Sequence, residues 1–403
     1  MNDKNNWFTI SRRKFITFLV GAVTSIVGFR KYMKLLSEPV GKQTNVNRSS
    51  VFIARNGTPE QNMKKIVEMI GGIHRIIESN AVVILKPNCQ WTSYAGTNTN
   101  VIKCLIDIIL DHPDGFTGEI VIGENVHATG YDEKGERHDR WADEHRGFTT
   151  TDRNGDYNIV ELVDHYRSKG FSNVSYSEWY TFEPRENPTR AGKVVSSIEA
   201  DDGYVHTDIE YYCPENGRTT RMSYPIFTTP NGTKIDFKNG IWNGSGYSDQ
   251  PLRFINIPVL KDHGSWYAGV TCSIKNYLGI VDLAYFAESN FHFMLLPGIF
   301  GAVGTFMKTI RMADLNIVDA TWVQVDELGP TFLNTNLVLG GVDPVALDYF
   351  AAKQILFPLS RNPAHNPDDS SQAFARQLQE IQKLGIGSLG EKGIRIKSYD
   401  FPK

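Results

Sequence analysis

The unbroken apolar run Ala81-Val82-Val83-Ile84-Leu85, ending on Lys86, constrains the fold of this chain most. Five consecutive apolar residues lack the alternation of a strand with one wet face. They predict a strand buried on both faces, as in a parallel sheet covered by helices. Val51 to Arg55 predicts a short strand ahead of it, and Ile66, Met69, Ile70, Ile73 and Ile77 mark one helical face between the two. After the run, a Thr/Asn/Gly-rich loop leads to a helix over Val101–Leu110 capped by Thr97 or Thr99, and Glu119 to Gly123 predicts the next strand. A βαβαβ opening implies a parallel sheet. The predicted fold class is therefore α/β: a mostly parallel sheet flanked by helices, with a mixed, partly β insertion.

That insertion is expected at about 128–250, where the rhythm breaks into charged helical pieces and then a region rich in Tyr, Thr, Asn and Gly. Pro230-Asn231-Gly232 between Tyr224–Thr228 and Thr233–Phe237 predicts a β-hairpin. The α/β pattern resumes with strands at Arg253–Leu260, Leu315–Asp319 and Leu337–Leu339. Asp343-Pro344 supplies an N-cap and first-turn proline for a helix to about Leu356. A helix near Gln372–Leu384 and a strand at Ile394–Ser398 close the domain, which spans 51–403. The uncharged run 293–307, broken by Pro297, reads as buried or lid-forming helix rather than a membrane-facing patch.

Ahead of the domain, Ser11-Arg12-Arg13-Lys14-Phe15-Ile16 precedes an uncharged run from Phe15 to Phe29. The pattern resembles a twin-arginine export signal. It assigns residues 1–36 as signal or membrane anchor and 37–50 as linker. At 15 residues the run is shorter than the roughly 20 that span a bilayer. Ala22 is the only alanine before Ala54, so no small-x-small cleavage site is visible, which favours an uncleaved or inefficiently cleaved signal tethering the domain. The expected partner is the twin-arginine translocation machinery, and the expected location is periplasmic or extracytoplasmic, with membrane contact through the N-terminus only. Residues 1–50 hold nine of the 42 Lys/Arg and two of the 45 Asp/Glu, so residues 51–403 carry about −10. That charge argues against nucleic acid as a partner.

Four predicted strands end on a reactive polar residue: Lys86, Glu124, Lys261 and Asp319. Ligands of open parallel sheets bind outside the carboxyl ends of the strands. If the four ends are neighbours, two lysines and two carboxylates share one crevice. Any single one of them is more simply a charge leaving the core. Asn88 and Cys89 follow Lys86, in a loop that reaches a helix N-terminus where backbone N–H groups can hold an anion. Asp262 and His263 follow Lys261, and Thr271 can cap a helix carrying Lys275 and Asn276 and ending at Gly279. The candidate ligand-binding residues are thus Lys86, Asn88, Lys261, Lys275 and Asn276. The candidate acid/base residues are His263, Glu124 and Asp319. An exposed loop histidine is an equally good reading of His263.

Asp348 should face the core, where a carboxylate needs a partner; a structural bond to backbone N–H groups or a salt bridge is preferred to catalysis. Cys104 lies on an apolar helix face and reads as core. His127, His138 and His145, interleaved with Asp132, Asp139, Asp143 and Glu144, suit a divalent metal by chemistry. Their spacing matches no tight motif, and a solvated helix is the preferred reading. Cofactors are unassigned: a divalent metal is compatible with these residues, but there is no local iron–sulfur or nucleotide motif among Cys89, Cys104, Cys213 and Cys272 or elsewhere.

Val82-Val83-Ile84-Leu85-Lys86-Pro87-Asn88, Pro258-Val259-Leu260-Lys261-Asp262-His263, Ser273-Ile274-Lys275-Asn276-Tyr277-Leu278-Gly279 and Asp343-Pro344-Val345-Ala346-Leu347-Asp348 resemble, in order, the signatures of the domain-of-unknown-function 362 family. Gly329-Pro330 after Asp319 and Glu327 fits the same pattern. The resemblance covers roughly 51–390 outside the insertion. It implies little about activity, since the family is largely uncharacterised. Many relatives carry a ferredoxin-type iron–sulfur module whose cysteines this chain lacks, and threonine is more usual than Asp262. Three functions are therefore weighed: an extracytoplasmic enzyme on a small anionic substrate, a metal- or iron–sulfur-associated redox accessory protein, and a non-catalytic envelope binding protein. In the redox reading, His263, Glu124, Asp319 and Cys89 or Cys272 would be ligands.

Overall fold

The apolar run lies in strand β2 (Val82–Pro87), buried along its whole length. Its odd and even residues enter different cores: Val82 and Ile84 pack on one face of the sheet, Val83 and Leu85 on the other. Each such side chain is worth about 1.5–3 kcal/mol of apolar burial. The protein, as a computed structural model, is described over residues 49–89, 93–125, 148–149, 154–179, 194–214, 217–264, 269–282, 301–326 and 329–402. The Arg12-Arg13 segment, the histidines at 127, 138 and 145, and Glu327 lie outside these residues.

The described strands begin with β1 (Ser49–Arg55), β2 and β3 (Glu119–Glu124). Helix α1 (Pro59–Ile70) opens on a capping box between Thr58 and Gln61 and stops at Gly71, whose φ of 105° suits glycine. The apolar periodicity through Ile73 and Ile77 thus runs past a glycine stop. Helix α2 (Thr99–Leu110) is capped by Asn98, whose side chain accepts from Asn100 N–H, rather than by Thr97 or Thr99.

Helix α3 (Ile159–Ser168) leads into β4 (Val174–Glu178), which pairs in parallel with β3. The stretch assigned to an insertion from 128 therefore first extends the main sheet. The mixed part begins with β5 (Gly203–Cys213), β6 (Arg218–Thr228), β7 (Lys234–Asp236) and β8 (Gly240–Trp242), which form a four-stranded antiparallel sheet. The expected hairpin joins β6 to β7, with Ile226 opposite Asp236.

The predicted strand 253–260 is broken at Pro258 into β9 (Leu252–Ile257) and β10 (Val259–His263). Proline cannot donate to a ladder, and there the chain exchanges β2 for another neighbour while remaining beside the strand at 315–324. Strand β10 pairs with the short β11 (Gly269–Thr271), which leads into α4 (Ser273–Asn276) and a 3₁₀ turn over Tyr277–Gly279. Helix α5 (Ala302–Thr309) takes up the described end of the uncharged run, and most of it is buried. Strands β12 (Leu315–Gln324) and β13 (Phe332–Gly341) follow. Helix α6 (Pro344–Ala351) starts on Asp343 as expected and continues through a π-helical turn over Ala352–Leu356 into α7 (Phe357–Ser360). Helix α8 (Ala373–Lys383) and β14 (Ile394–Asp400) end the described chain close to the predicted positions.

The main sheet runs β14-β1-β13-β12-β9-β2-β3-β4, with β10 and β11 branching from β12. Only β13 and β11 run against the rest, so the α/β class with a mostly parallel sheet holds. Strand β1 is parallel to β2 but four places away from it. The small sheet shares a core with one face of the main sheet: Tyr204, Met222, Ile226 and Phe237 pack in the cluster that holds Ile84, Val121 and Phe254. Arg311 braces the join, donating to the carbonyls of Phe237 at 2.6 Å and Leu252 at 3.1 Å.

Candidate functional site

Strands β2 and β3 are parallel neighbours, with Leu85 opposite Ile122, so Lys86 and Glu124 emerge side by side at their carboxyl ends. Lys86 Nζ donates to Glu124 Oε1 at 2.8 Å and lies 2.9 Å from Oε2. It also donates to the Pro87 carbonyl at 3.0 Å and to Asn276 Oδ1 at 3.1 Å. Lys86 is fully buried and Glu124 is 3% exposed. Burial pushes the Glu124 carboxyl up to about 7, against the pull of Lys86, and lowers the Lys86 ammonium against the pull of Glu124.

Asn276 is the hub that ties α4 to this pair. Its Nδ2 donates to Asn256 Oδ1 at 2.8 Å and to the Lys86 carbonyl at 3.2 Å. Asn256 Nδ2 donates in turn to Asn316 Oδ1 and to the Ser273 carbonyl, both at 2.9 Å. The four-residue α4 is too short to hold itself. Asp348 does so from α6, accepting from Ser273 N–H at 2.8 Å and Ile274 N–H at 2.9 Å. This is the structural role expected of a core-facing carboxylate. It replaces Thr271, which does not cap the helix. Burial pushes the Asp348 carboxyl up to about 6, and the Ile274 N–H opposes the shift.

Lys275 precedes the hub and is 6% exposed; Lys261 on β10 is 2% exposed and donates to the Ala95 carbonyl at 2.7 Å. Burial, and then the charge of Lys86, pull the Lys275 ammonium down to about 7. Burial, and then Lys275, pull Lys261 well below the lysine range, with Glu124 opposing. Lys86, Lys261, Lys275 and Glu124 therefore act on one another in a single buried neighbourhood. Three of the four expected strand ends meet.

The fourth goes elsewhere. Asp319 sits within β12, where its Oδ2 accepts from Asn98 N–H at 2.7 Å and its Oδ1 from Thr321 N–H at 2.9 Å. Burial raises its carboxyl, and the bonds from Thr321 and Asn98 oppose this. The N-terminus of α2, expected to receive an anion, is occupied by the protein itself. Asn98 N–H goes to Asp319, Thr99 N–H to the Asn154 carbonyl and Asn100 N–H to Asn98. Asn88 is 8% exposed, and its Oδ1 has no hydrogen-bond partner among the described residues. His263 is buried on β10 opposite Gly269 rather than exposed on a loop.

One contributor was not visible in the sequence. A Cβ on Gly279 would fall 1.7 Å from Glu124 Oε1 and 2.6 Å from Lys86 Nζ, so the bare backbone of this residue closes over the ion pair. The Gly279 carbonyl also accepts from Asn125 N–H at 2.8 Å. The small sheet braces both sides of this contact. Asn125 Nδ2 donates to the Tyr204 hydroxyl at 2.9 Å and to the Val281 carbonyl at 3.0 Å, and Asp282 contacts His206 at 2.9 Å.

No group of three or more His, Cys, Asp or Glu among the described residues is placed to hold a metal ion. Cys89 and Cys272 are buried, and burial pushes both thiols well above their usual range. Cys104 is in the core as expected. No described helix is long and apolar enough to cross a membrane.

Fold and site define an α/β protein with a buried lysine–glutamate cluster at the carboxyl ends of its parallel strands. Residues 252–353 match the family described as "Domain of unknown function (DUF362)". That segment contributes Lys261, Lys275, Asn276 and Gly279 to the cluster, whereas Lys86 and Glu124 come from the chain before it. No curated protein matches the chain.

Proposed function

We propose that this is an exported protein that binds a small anionic ligand at the Lys86–Glu124–Lys261–Lys275 cluster. The observation that carries the reading is the convergence of three buried lysines on one buried glutamate, with two of the lysines lowered by a neighbouring lysine. Buried cations that repel one another are costly, and an anion beside them removes that cost. The unpartnered Asn88 Oδ1 adds an acceptor for a ligand N–H or O–H. Glu124, with its carboxyl near 7, is suited to give or take a proton at neutral pH, which makes an enzymatic role the natural extension. Asp319 is assigned a positioning role, because both its oxygens serve backbone N–H groups.

A thermal-shift series with phosphate, sulfate, acetate and oxalate tests this. At least one anion is expected to raise the melting temperature, and the Lys261→Met, Lys275→Met double variant is expected to lose the rise while still unfolding cooperatively. An unchanged response in that variant overturns the site. The shift should be larger at pH 6 than at pH 8, because Lys275 carries its charge below about 7.

Export rests on Arg12-Arg13 and the uncharged run behind them. Changing both arginines to lysine is expected to leave the protein in the cytoplasmic fraction of its natural host, while the unaltered chain reaches the envelope. Equal distribution of the two would refute the twin-arginine route.

A further inference from the structure

The loop that reaches Lys261 also carries an aromatic ring. The Ala95 carbonyl accepts from Lys261 Nζ at 2.7 Å. The residue before it, Tyr94, stacks on Trp322 with ring centroids 4.3 Å apart and planes 23° from parallel. Phe332 meets Tyr94 edge to face at 5.7 Å. The sheet brings the same groups together by a second route. Gln324 on β12 lies opposite Lys261 of β10 and opposite Phe332 of β13, and the pairing of β12 with β13 is regular from Trp322 to Gln324. Opposed residues, and residues two apart on one strand, present their side chains to the same face, with strands about 5 Å apart. Lys261, Gln324, Phe332 and Trp322 therefore share a face, and the Tyr94–Ala95 loop crosses it.

The loop is anchored without its ring. Thr97 Oγ1 accepts from Asn88 N–H at 2.8 Å and donates to the Ile257 carbonyl at 2.7 Å, and Asn98 N–H goes to Asp319. Tyr94, Trp322 and Phe332 are half-buried, beside a lysine that is 2% exposed. Aromatic walls around a few placed charges are the ordinary make-up of a small-molecule site.

We propose that the anion bound at the cluster carries an aromatic ring, which packs against Tyr94, Trp322 and Phe332 while its charged group faces Lys261. The proposal rests on the anion-site reading above and names its ligand class. Stacked or edge-to-face contact with these rings favours an aryl anion over a small aliphatic or inorganic one of the same charge.

Matched pairs test this: benzoate against acetate and phenyl phosphate against inorganic phosphate, titrated by thermal shift on the full chain. The aryl member of each pair is expected to half-saturate the shift at about tenfold lower concentration, the worth of one aromatic contact. Trp322→Leu and, separately, Phe332→Leu keep an apolar side chain without the ring, and each is expected to bring the two members of a pair together. Equal response to both members in the unaltered chain, with acetate or phosphate still raising the melting temperature, overturns the ring and leaves the anion site standing. That comparison requires no variant to fold. An aryl preference that persists in both variants overturns the proposal as well. No response to any of the four removes the anion site, and the ring with it.

Discussion

Gly279→Ala is expected to destabilise the protein by roughly 3 kcal/mol, the scale of breaking a buried ion pair. The added methyl would lie 1.7 Å from Glu124 Oε1 and 2.6 Å from Lys86 Nζ. Both atoms end flexible side chains, which elsewhere would let them step aside. Here Lys86 is fully buried and fixed to the Pro87 carbonyl and Asn276 as well, so movement of the pair leaves donors unmet. Urea denaturation should show a lower midpoint with an unchanged slope, and the anion-induced thermal shift should vanish with it. Wild-type stability in this variant would mean that Gly279 does not close over the pair.

Lys86→Ala is expected to cost about 3–5 kcal/mol, because it strands Glu124 in the core. Lys86→Met with Glu124→Leu should recover most of that loss, since an apolar pair of similar volume has no charge to bury. A double-mutant cycle by chemical denaturation measures the difference. The same cluster sets a dependence on pH. The Glu124 carboxyl rises from 4.5 to about 7 on folding. Between those values the folded chain holds a proton that the unfolded chain has released, so stability falls as pH rises through the window. The Lys275 ammonium falls from 10.5 to about 7. Between about 7 and 10.5 the unfolded chain binds the extra proton, so stability recovers as pH rises. The two together are least stabilising near pH 7, with slopes of at most about 1.4 kcal/mol per pH unit for each. Glu124→Gln should flatten the acid limb and Lys275→Met the alkaline one.

Much of this site could be read locally. Lys86 and Glu124 follow apolar runs whose composition alone marks buried strands, and adjacent parallel strands bring their ends together. Asp343-Pro344 announced its helix because cap and first turn are neighbours in the chain. What the sequence hid depends on distant contacts. Asp348 caps residues Ser273 and Ile274 more than seventy positions earlier, and no local pattern contains that pairing; Thr271 was merely the nearest capping residue. Asp319 ends an apolar run as the lysines do, yet β12 continues beyond it, and its two oxygens turn to Asn98 at the start of α2 and to Thr321 within its own strand. Pro258 splits the apolar run 253–260 because the chain exchanges β2 for β11 there while staying beside β12, a change of neighbour that no local pattern contains. Gly279 looked like a helix stop, and its close approach to Glu124 exists only once β3 and α4 are side by side.

The order of the main sheet also bears on how the chain reaches this state. Strand β1 lies between β13 and β14, so its hydrogen-bonding partners are residues 332–341 and 394–400. The first of the described strands is therefore the one that waits longest for its neighbours. Residues 49–55 have two open edges until β13 is made and one until β14 is made, and closing the second requires one of the longest loop closures among the described strands. A nascent or truncated chain that stops short of Ile394 offers an apolar strand edge to any partner, and shielding it during synthesis is a task for a holding chaperone.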